Sequence, residues 1–148
     1  MIPNPIRRAL SLIIALACSA VPVLAEELSG QWATIVKVTD GDTVWAIPEG
    51  ADTRVKYRLR DFDSPEPTKY KNAECDAERM LGDIASQVAG KLLDGKKVWI
   101  ETDGSKGAFG RDLARIRLDE GKWFSDFMIQ RGLAVKWAGR THDWCGNK

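Results

Sequence analysis

The sequence predicts an α+β, mainly β domain: a five-stranded Greek-key barrel carrying two to three helices. Three observations lead there. Short β-branched or alternating segments are punctuated by glycine and proline turns, one long segment of helical period sits mid-chain, and two more strand-like segments precede a short helix. The 148 residues suit one domain of roughly 120 residues once the N-terminus is set aside.

Trp32 to Val38 is apolar and β-branched and ends at Asp40-Gly41, which reads as a strand entering a tight turn. Thr43 to Ile47 reads as its hairpin partner, and Pro48-Glu49-Gly50 as the next turn. Val55, Tyr57 and Leu59 alternate with Lys56, Arg58 and Arg60, so a period of two sets the arginines opposite the core side chains. This third strand is expected to end at Asp63. Ala77, Met80, Leu81, Ile84, Ala85, Val88 and Leu92 recur at helical spacing, in a helix starting near Ala73 and stopping at Asp94-Gly95. Lys97 to Thr102 is the next strand, followed by a polar glycine-rich loop from Asp103 to Gly110. Leu113 to Leu118 is another strand, with a turn at Asp119-Glu120-Gly121. Ser125 is placed to cap a short helix carrying Phe124, Phe127 and Met128, ended by Gly132. Three strands, a helix, two strands and a helix make the order of a five-stranded barrel of the OB type. Six tryptophans in so small a barrel are expected mostly to fill its core.

Residues 1–25 read as a signal peptide and 26–148 as the domain. Arg7 and Arg8 precede the apolar run Ala9 to Ala20, then Pro22 and Val23-Leu24-Ala25 before Glu26. A retained membrane anchor is the alternative, but the run is short for a span of roughly 20 residues. Lipoprotein processing at Cys18 and a twin-arginine signal fit less well. The expected location is therefore secreted or periplasmic.

Charge excludes global attraction to a polyanion. The chain has 22 Lys+Arg and 21 Asp+Glu; without Arg7 and Arg8 the balance is 20 against 21, a net charge of −1. Any affinity for phosphate must be local, and a bound divalent cation would supply part of the positive charge. Cys75 and Cys145 remain after the signal, an even number in a chain bound for an oxidising compartment. A disulfide between them would add about 4 kcal/mol in the chain-entropy model; two unpaired buried thiols are the alternative. With His142 the only histidine, zinc ligation has no matching pattern.

Two short segments carry the chemistry. Asp40-Gly41-Asp42-Thr43 and Arg58-Leu59-Arg60-Asp61-Phe62-Asp63-Ser64-Pro65-Glu66 can bring three carboxylates and an arginine together. A hard divalent cation takes oxygen ligands: Asp42 after its glycine turn, Asp63, and the Ser64 carbonyl that Pro65 holds extended, with Glu66 within reach after the proline. Phosphodiester hydrolysis needs an oriented water and neutralisation of charge on the phosphoryl oxygens. Glu66 is the carboxylate for the water, while Arg58 and Arg111 offer forked donors that match phosphate oxygens. Each piece alone has an ordinary reading as a hairpin turn, a capped turn or a solvated strand face; the joint order and spacing does not.

These residues resemble the staphylococcal-nuclease (thermonuclease) family, from about Trp32 to Trp137. The likeness runs through Val38-Thr39-Asp40-Gly41-Asp42-Thr43, Tyr57-Arg58-Leu59, Asp63-Ser64-Pro65-Glu66, the alanine-rich helix and Phe109-Gly110-Arg111-Asp112-Leu113-Ala114. It ends with Gly121-Lys122-Trp123 and Arg131-Gly132-Leu133-Ala134. The resemblance implies an OB-type barrel and a calcium-dependent endonuclease acting on DNA and RNA. Asp42, Asp63 and the Ser64 carbonyl would bind Ca2+, Glu66 would act on the attacking water, and Arg58 and Arg111 would stabilise the transition state. Ser64 stands where the family often has threonine. Phe109 replaces a tyrosine lining the nucleotide pocket, so stacking persists while a hydroxyl contact is lost. The chain ends soon after Trp137, without a long C-terminal helix, and Cys145 is a candidate to tie this tail to Cys75.

Weaker signals are Lys69 and Lys71, which could follow a nucleic-acid backbone, and Trp137 beside Lys136, a candidate stacking platform for a base. Two other functions compete with the secreted nuclease: a catalytically silent OB-type module that binds nucleic acid or protein, and an envelope protein anchored by an uncleaved N-terminus. A monomer is the default expectation.

Overall fold

The computed structural model describes residues 29–118 and 121–146; the expected signal peptide lies outside the described residues. Five strands close a barrel: β1 (Ser29–Val38), β2 (Thr43–Pro48), β3 (Val55–Leu59), β5 (Lys97–Thr102) and β6 (Asp112–Arg117). A separate pair, β4 (Phe62–Asp63) and β7 (Val135–Lys136), stands beside it with two helices, α1 (Asp76–Leu93) and α2 (Phe124–Gln130). Around the barrel the order is β1-β2-β3-β6-β5, with β5 pairing back onto β1. Every barrel pairing is antiparallel except β3 with β6. This is the expected mainly β, OB-type barrel with two helices.

Closure depends on β1, whose first half pairs with β5 and whose second half pairs with β2. Its register on β2 slips between Ile35 and Lys37, a bulge that bends the strand and turns Val36 outwards. Ile35, Val44, Tyr57, Leu59, Ile100 and Ile116 fill the interior, with Ala33, Ala46 and Ala114 where it is narrow. Phe62 packs edge-on against Phe124 at 6.0 Å, joining α2 to the segment that carries the site.

Four expectations are corrected. None of the six tryptophans belongs to the buried core. Small and aliphatic side chains and Tyr57 fill the interior, and three of the indoles lie under cations, Arg54 over Trp45, Lys97 over Trp32 and Arg117 over Trp123, while Trp99 meets Trp32 and Trp144 meets His142 edge-on. In α1 the buried line is Glu78, Gly82, Ala85, Ala89 and Leu93, while Met80 is 67% exposed. Small residues win that face because a Cβ at position 82 would overlap the Glu66–Pro67 backbone. The helix begins at Asp76, near the expected Ala73, but α2 begins at Phe124 after Trp123, so Ser125 is not its cap. Finally, β3 stops at Leu59. Asp61 takes a left-handed turn at φ 75°, its carboxylate held by Arg115 and, at 3.5 Å, by Arg60, so Asp63 falls on β4 instead.

Candidate metal and phosphate site

The turn before β2 presents Asp42. Asp40 accepts the Asp42 amide at 3.2 Å, and the Thr39 amide donates to the Thr43 carbonyl at 2.8 Å. Gly41 is required here, since any Cβ would overlap the Ser64 hydroxyl. That close approach sets the turn directly on the segment after β4. The Ser64 amide donates to Asp42 Oδ2 at 3.1 Å, and the Asp42 carbonyl accepts the Leu59 amide at 2.7 Å. Asp42 is thus stitched to both chemistry-bearing segments and is only 2% exposed.

Arg58 stands opposite Thr43 in the β2–β3 ladder. Its guanidinium spans two carboxylates, Nη1 on Asp42 Oδ1 and Nη2 on Asp63 Oδ1, the latter at 3.2 Å. The second oxygen of Asp63 accepts the backbone amide of His142 at 2.9 Å. Burial pushes the Asp42 carboxyl up, while Arg58 pulls it back. Glu66 is also raised, first by burial and then by Asp40, with Arg58 opposing and Asp63 and Glu78 adding to the rise. The Arg58 guanidinium thus lies between Asp42 and Asp63, and the charges of Asp40, Arg58 and Asp63 all act on Glu66.

The structure brings Asp42, Arg58, Asp63, Ser64 and Glu66 together. Arg111 is different. Its Nε donates to the Ala108 carbonyl at 3.1 Å and its guanidinium lies 5.7 Å from the Phe109 ring. Among the described residues no hydrogen bond or ion pair joins Arg111 to Asp42, Asp63 or Glu66. Because Arg58 pairs with Leu113 across β3–β6, alternation sets the extended Arg111, two residues earlier, on the Arg58 side of the sheet. Phe109 is 97% exposed at φ 63°, and Trp137 is exposed with its amide on the Asp61 carbonyl at 2.9 Å. Lys69 is held on the Thr39 carbonyl and lies over the Tyr70 ring; Lys71 is exposed.

Three contributors were not singled out from the sequence. Buried Glu78 accepts the Glu66 amide at 3.4 Å and the Glu74 amide at 2.7 Å, and Gly82 lets α1 press on Glu66–Pro67. Their spacing of four on the small-residue face of α1 was the available signal. His142 contributes a backbone amide, for which a sequence offers none.

Among the described residues, the only trio of His, Cys, Asp or Glu ligand atoms within 4.8 Å of one another is Cys75, Glu78 and Cys145. The two sulfurs are bonded to each other as a disulfide, so that trio is no metal site. The Asp42–Asp63 cluster is held by a guanidinium, with like charges standing apart. Its donor chemistry fits a hard divalent cation: carboxylate oxygens in excess over positive charge, some of them removed from water.

The staphylococcal nuclease homologue family matches residues 56–144, more than half of the chain. The chain therefore belongs to that family. The matched span holds Arg58, Asp63, Ser64, Glu66, Phe109, Arg111 and Trp137, while Asp42 lies before it. No curated protein matches the chain.

Proposed function

We propose that this protein is a secreted, calcium-dependent endonuclease that hydrolyses phosphodiester bonds of DNA and RNA. The single observation that supports it most is the bridging of Asp42 and Asp63 by Arg58, in a chain whose family is the staphylococcal nuclease homologues. Secretion is supported by the N-terminal pattern, calcium by an all-oxygen donor set, and nucleic acid by the family.

Asp42, Asp63 and the Ser64 carbonyl are the groups to hold the ion. When bound, Ca2+ polarises a phosphoryl oxygen and offsets the charge building on it. The chain's own groups do the rest. Glu66, with its proton affinity raised by burial, orients the attacking water and takes its proton. Arg58 has two of its five N–H donors on Asp42 and Asp63, and it is the group to turn from Asp42 to a phosphate oxygen when ion and substrate arrive. Arg111 approaches from the glycine-rich loop and stabilises the departing oxygen. Phe109 and Trp137 offer ring faces to bases.

The test is degradation of plasmid and RNA by the mature chain with calcium, with chelator, and with calcium restored, across neutral to alkaline pH. Calcium-dependent cleavage supports the reading, and intact nucleic acid throughout contradicts it. Binding without cleavage, unchanged in Asp42→Ala, would favour the silent binding module.

A further inference from the structure

The C-terminal segment after β7 folds back over the site as a strap, and beyond the Trp137 ring nothing in the proposed chemistry uses it. Its root is the β4–β7 ladder, where Asp63 pairs with Val135. The Trp137 amide then donates to the Asp61 carbonyl, and the His142 amide reaches Asp63 Oδ2 at 2.9 Å. Beyond it the His142 ring meets Trp144 edge-on at 4.7 Å, the Cys145 amide is held by Asp143 at 3.0 Å, and Cys145 is bonded to Cys75. Cys75 is the residue that opens α1. One turn later Glu78 holds the Glu66 amide. The disulfide thus closes a ring of contacts, running from Asp63 through His142 and Cys145 to Cys75, Glu78 and Glu66.

The geometry points to this strap as a positioning element of the ion site: the His142 amide sets the rotamer of Asp63, and the Cys75–Cys145 bond holds the strap there. The inference rests on the nuclease reading for its purpose. Each oxygen of Asp63 receives one donor, Arg58 on Oδ1 and His142 on Oδ2, and keeps lone-pair capacity for an ion. A carboxylate held at both oxygens does not have to be ordered when the ion arrives. Outer contacts of this kind are typically worth about 10- to 100-fold in ion affinity. Neither His142 nor a cysteine touches the ion or the substrate; they act through Asp63 and Glu66.

The experiment is calorimetric titration of Ca2+ into the wild type, His142→Ala, His142→Pro and the double variant Cys75→Ala/Cys145→Ala, with folding followed by near-ultraviolet circular dichroism. His142→Ala keeps the amide and should bind like wild type; His142→Pro lacks the N–H and should bind about tenfold more weakly, as should the double cysteine variant. On cleavage of a long substrate, kcat should fall while KM stays. Folded His142→Pro with the affinity of His142→Ala overturns the role of the amide, and a folded cysteine variant with wild-type affinity overturns that of the disulfide. Should His142→Pro fail to fold, hydrogen exchange of the metal-free protein decides: the His142 amide should be protected in wild type and released in Asp63→Ala, and solvent-rate exchange in wild type contradicts the proposal. A wild type that binds no ion ends the nuclease reading alone, and the same exchange measurement still judges the strap.

Discussion

The two arginines on the Arg58 side of the sheet are held in opposite ways. Arg58 sits mid-strand, is half-buried, and is locked between Asp42 and Asp63. Arg111 leaves a loop that contains Gly104, Gly107 and Gly110, is held among the described residues by the Ala108 carbonyl and the Phe109 ring, and that ring is itself almost fully exposed. The Asp42–Asp63 end, where the proposed ion would sit, is built in advance by strands and a glycine-to-serine contact. The Arg111 end would be left for the proposed substrate to complete. Stability and catalysis should therefore separate along this line: changes near Arg58 should disturb both, and changes near Arg111 catalysis alone.

The largest expected effect is at the built end. Asp42→Ala should abolish calcium binding and lower cleavage by more than about 1,000-fold, as expected for loss of an ion that carries transition-state charge; retained turnover would dissolve the contrast. Glu66→Gln should lower kcat by about 100- to 10,000-fold and at the same time stabilise the ion-free protein at neutral pH. An acid raised on folding carries no penalty below its unfolded value. It loses stability as pH climbs from that value through the raised folded one. The stabilisation by Glu66→Gln should accordingly be absent under strongly acid conditions and grow across that interval in thermal melts. Melts that respond to pH identically in the variant and wild type would contradict the burial of Glu66.

Next in size is Arg111→Ala. It should lower kcat by about 100-fold or more while unfolding free energy stays within about 0.5 kcal/mol, and Arg111→Lys should rescue little, since an ammonium lacks the fork. Gly41→Ala should show the reverse pattern at the built end. Its Cβ has no room beside Ser64, and about 1–3 kcal/mol of stability should be lost in denaturant titrations, with ion affinity falling as well. Smallest is Phe109→Ala, which should raise KM a few-fold on single strands, in line with about 1–3 kcal/mol for a stacked base at most, and leave stability unchanged.

Much of this contrast was legible in the sequence. The five barrel strands, the Asp40-Gly41 turn and the Arg58 alternation are local patterns that the structure bears out, whereas the β4–β7 pair has no such local signal. Val38 to Glu66 carried its signal because the turn chemistry and the carboxylates are adjacent in the chain. What escaped depends on distant packing. Asp63 sits on its own short strand because Leu59 and Arg60 give their amides to the Asp42 and Ala114 carbonyls, and then Asp61 turns. The buried face of α1 keeps Ala85 as read but takes Gly82 and Ala89 in place of Met80 and Ile84, because close approach to the Glu66–Pro67 backbone at position 82 outweighs side-chain volume. Hydrophobicity alone puts the tryptophans inside, whereas the barrel is filled by aliphatic residues, Tyr57 and alanines and leaves the indoles half-buried or exposed.

The account stands on an exchange at Arg58, and a crystal structure with Ca2+ and a short non-hydrolysable oligonucleotide measures it directly. The ion should lie between Asp42 and Asp63 with the Ser64 carbonyl turned to it, and Arg58 should have left Asp42 for a phosphate oxygen that Arg111 also reaches. Arg58 still bridging the two aspartates, with the oligonucleotide elsewhere and no ion between them, would contradict it.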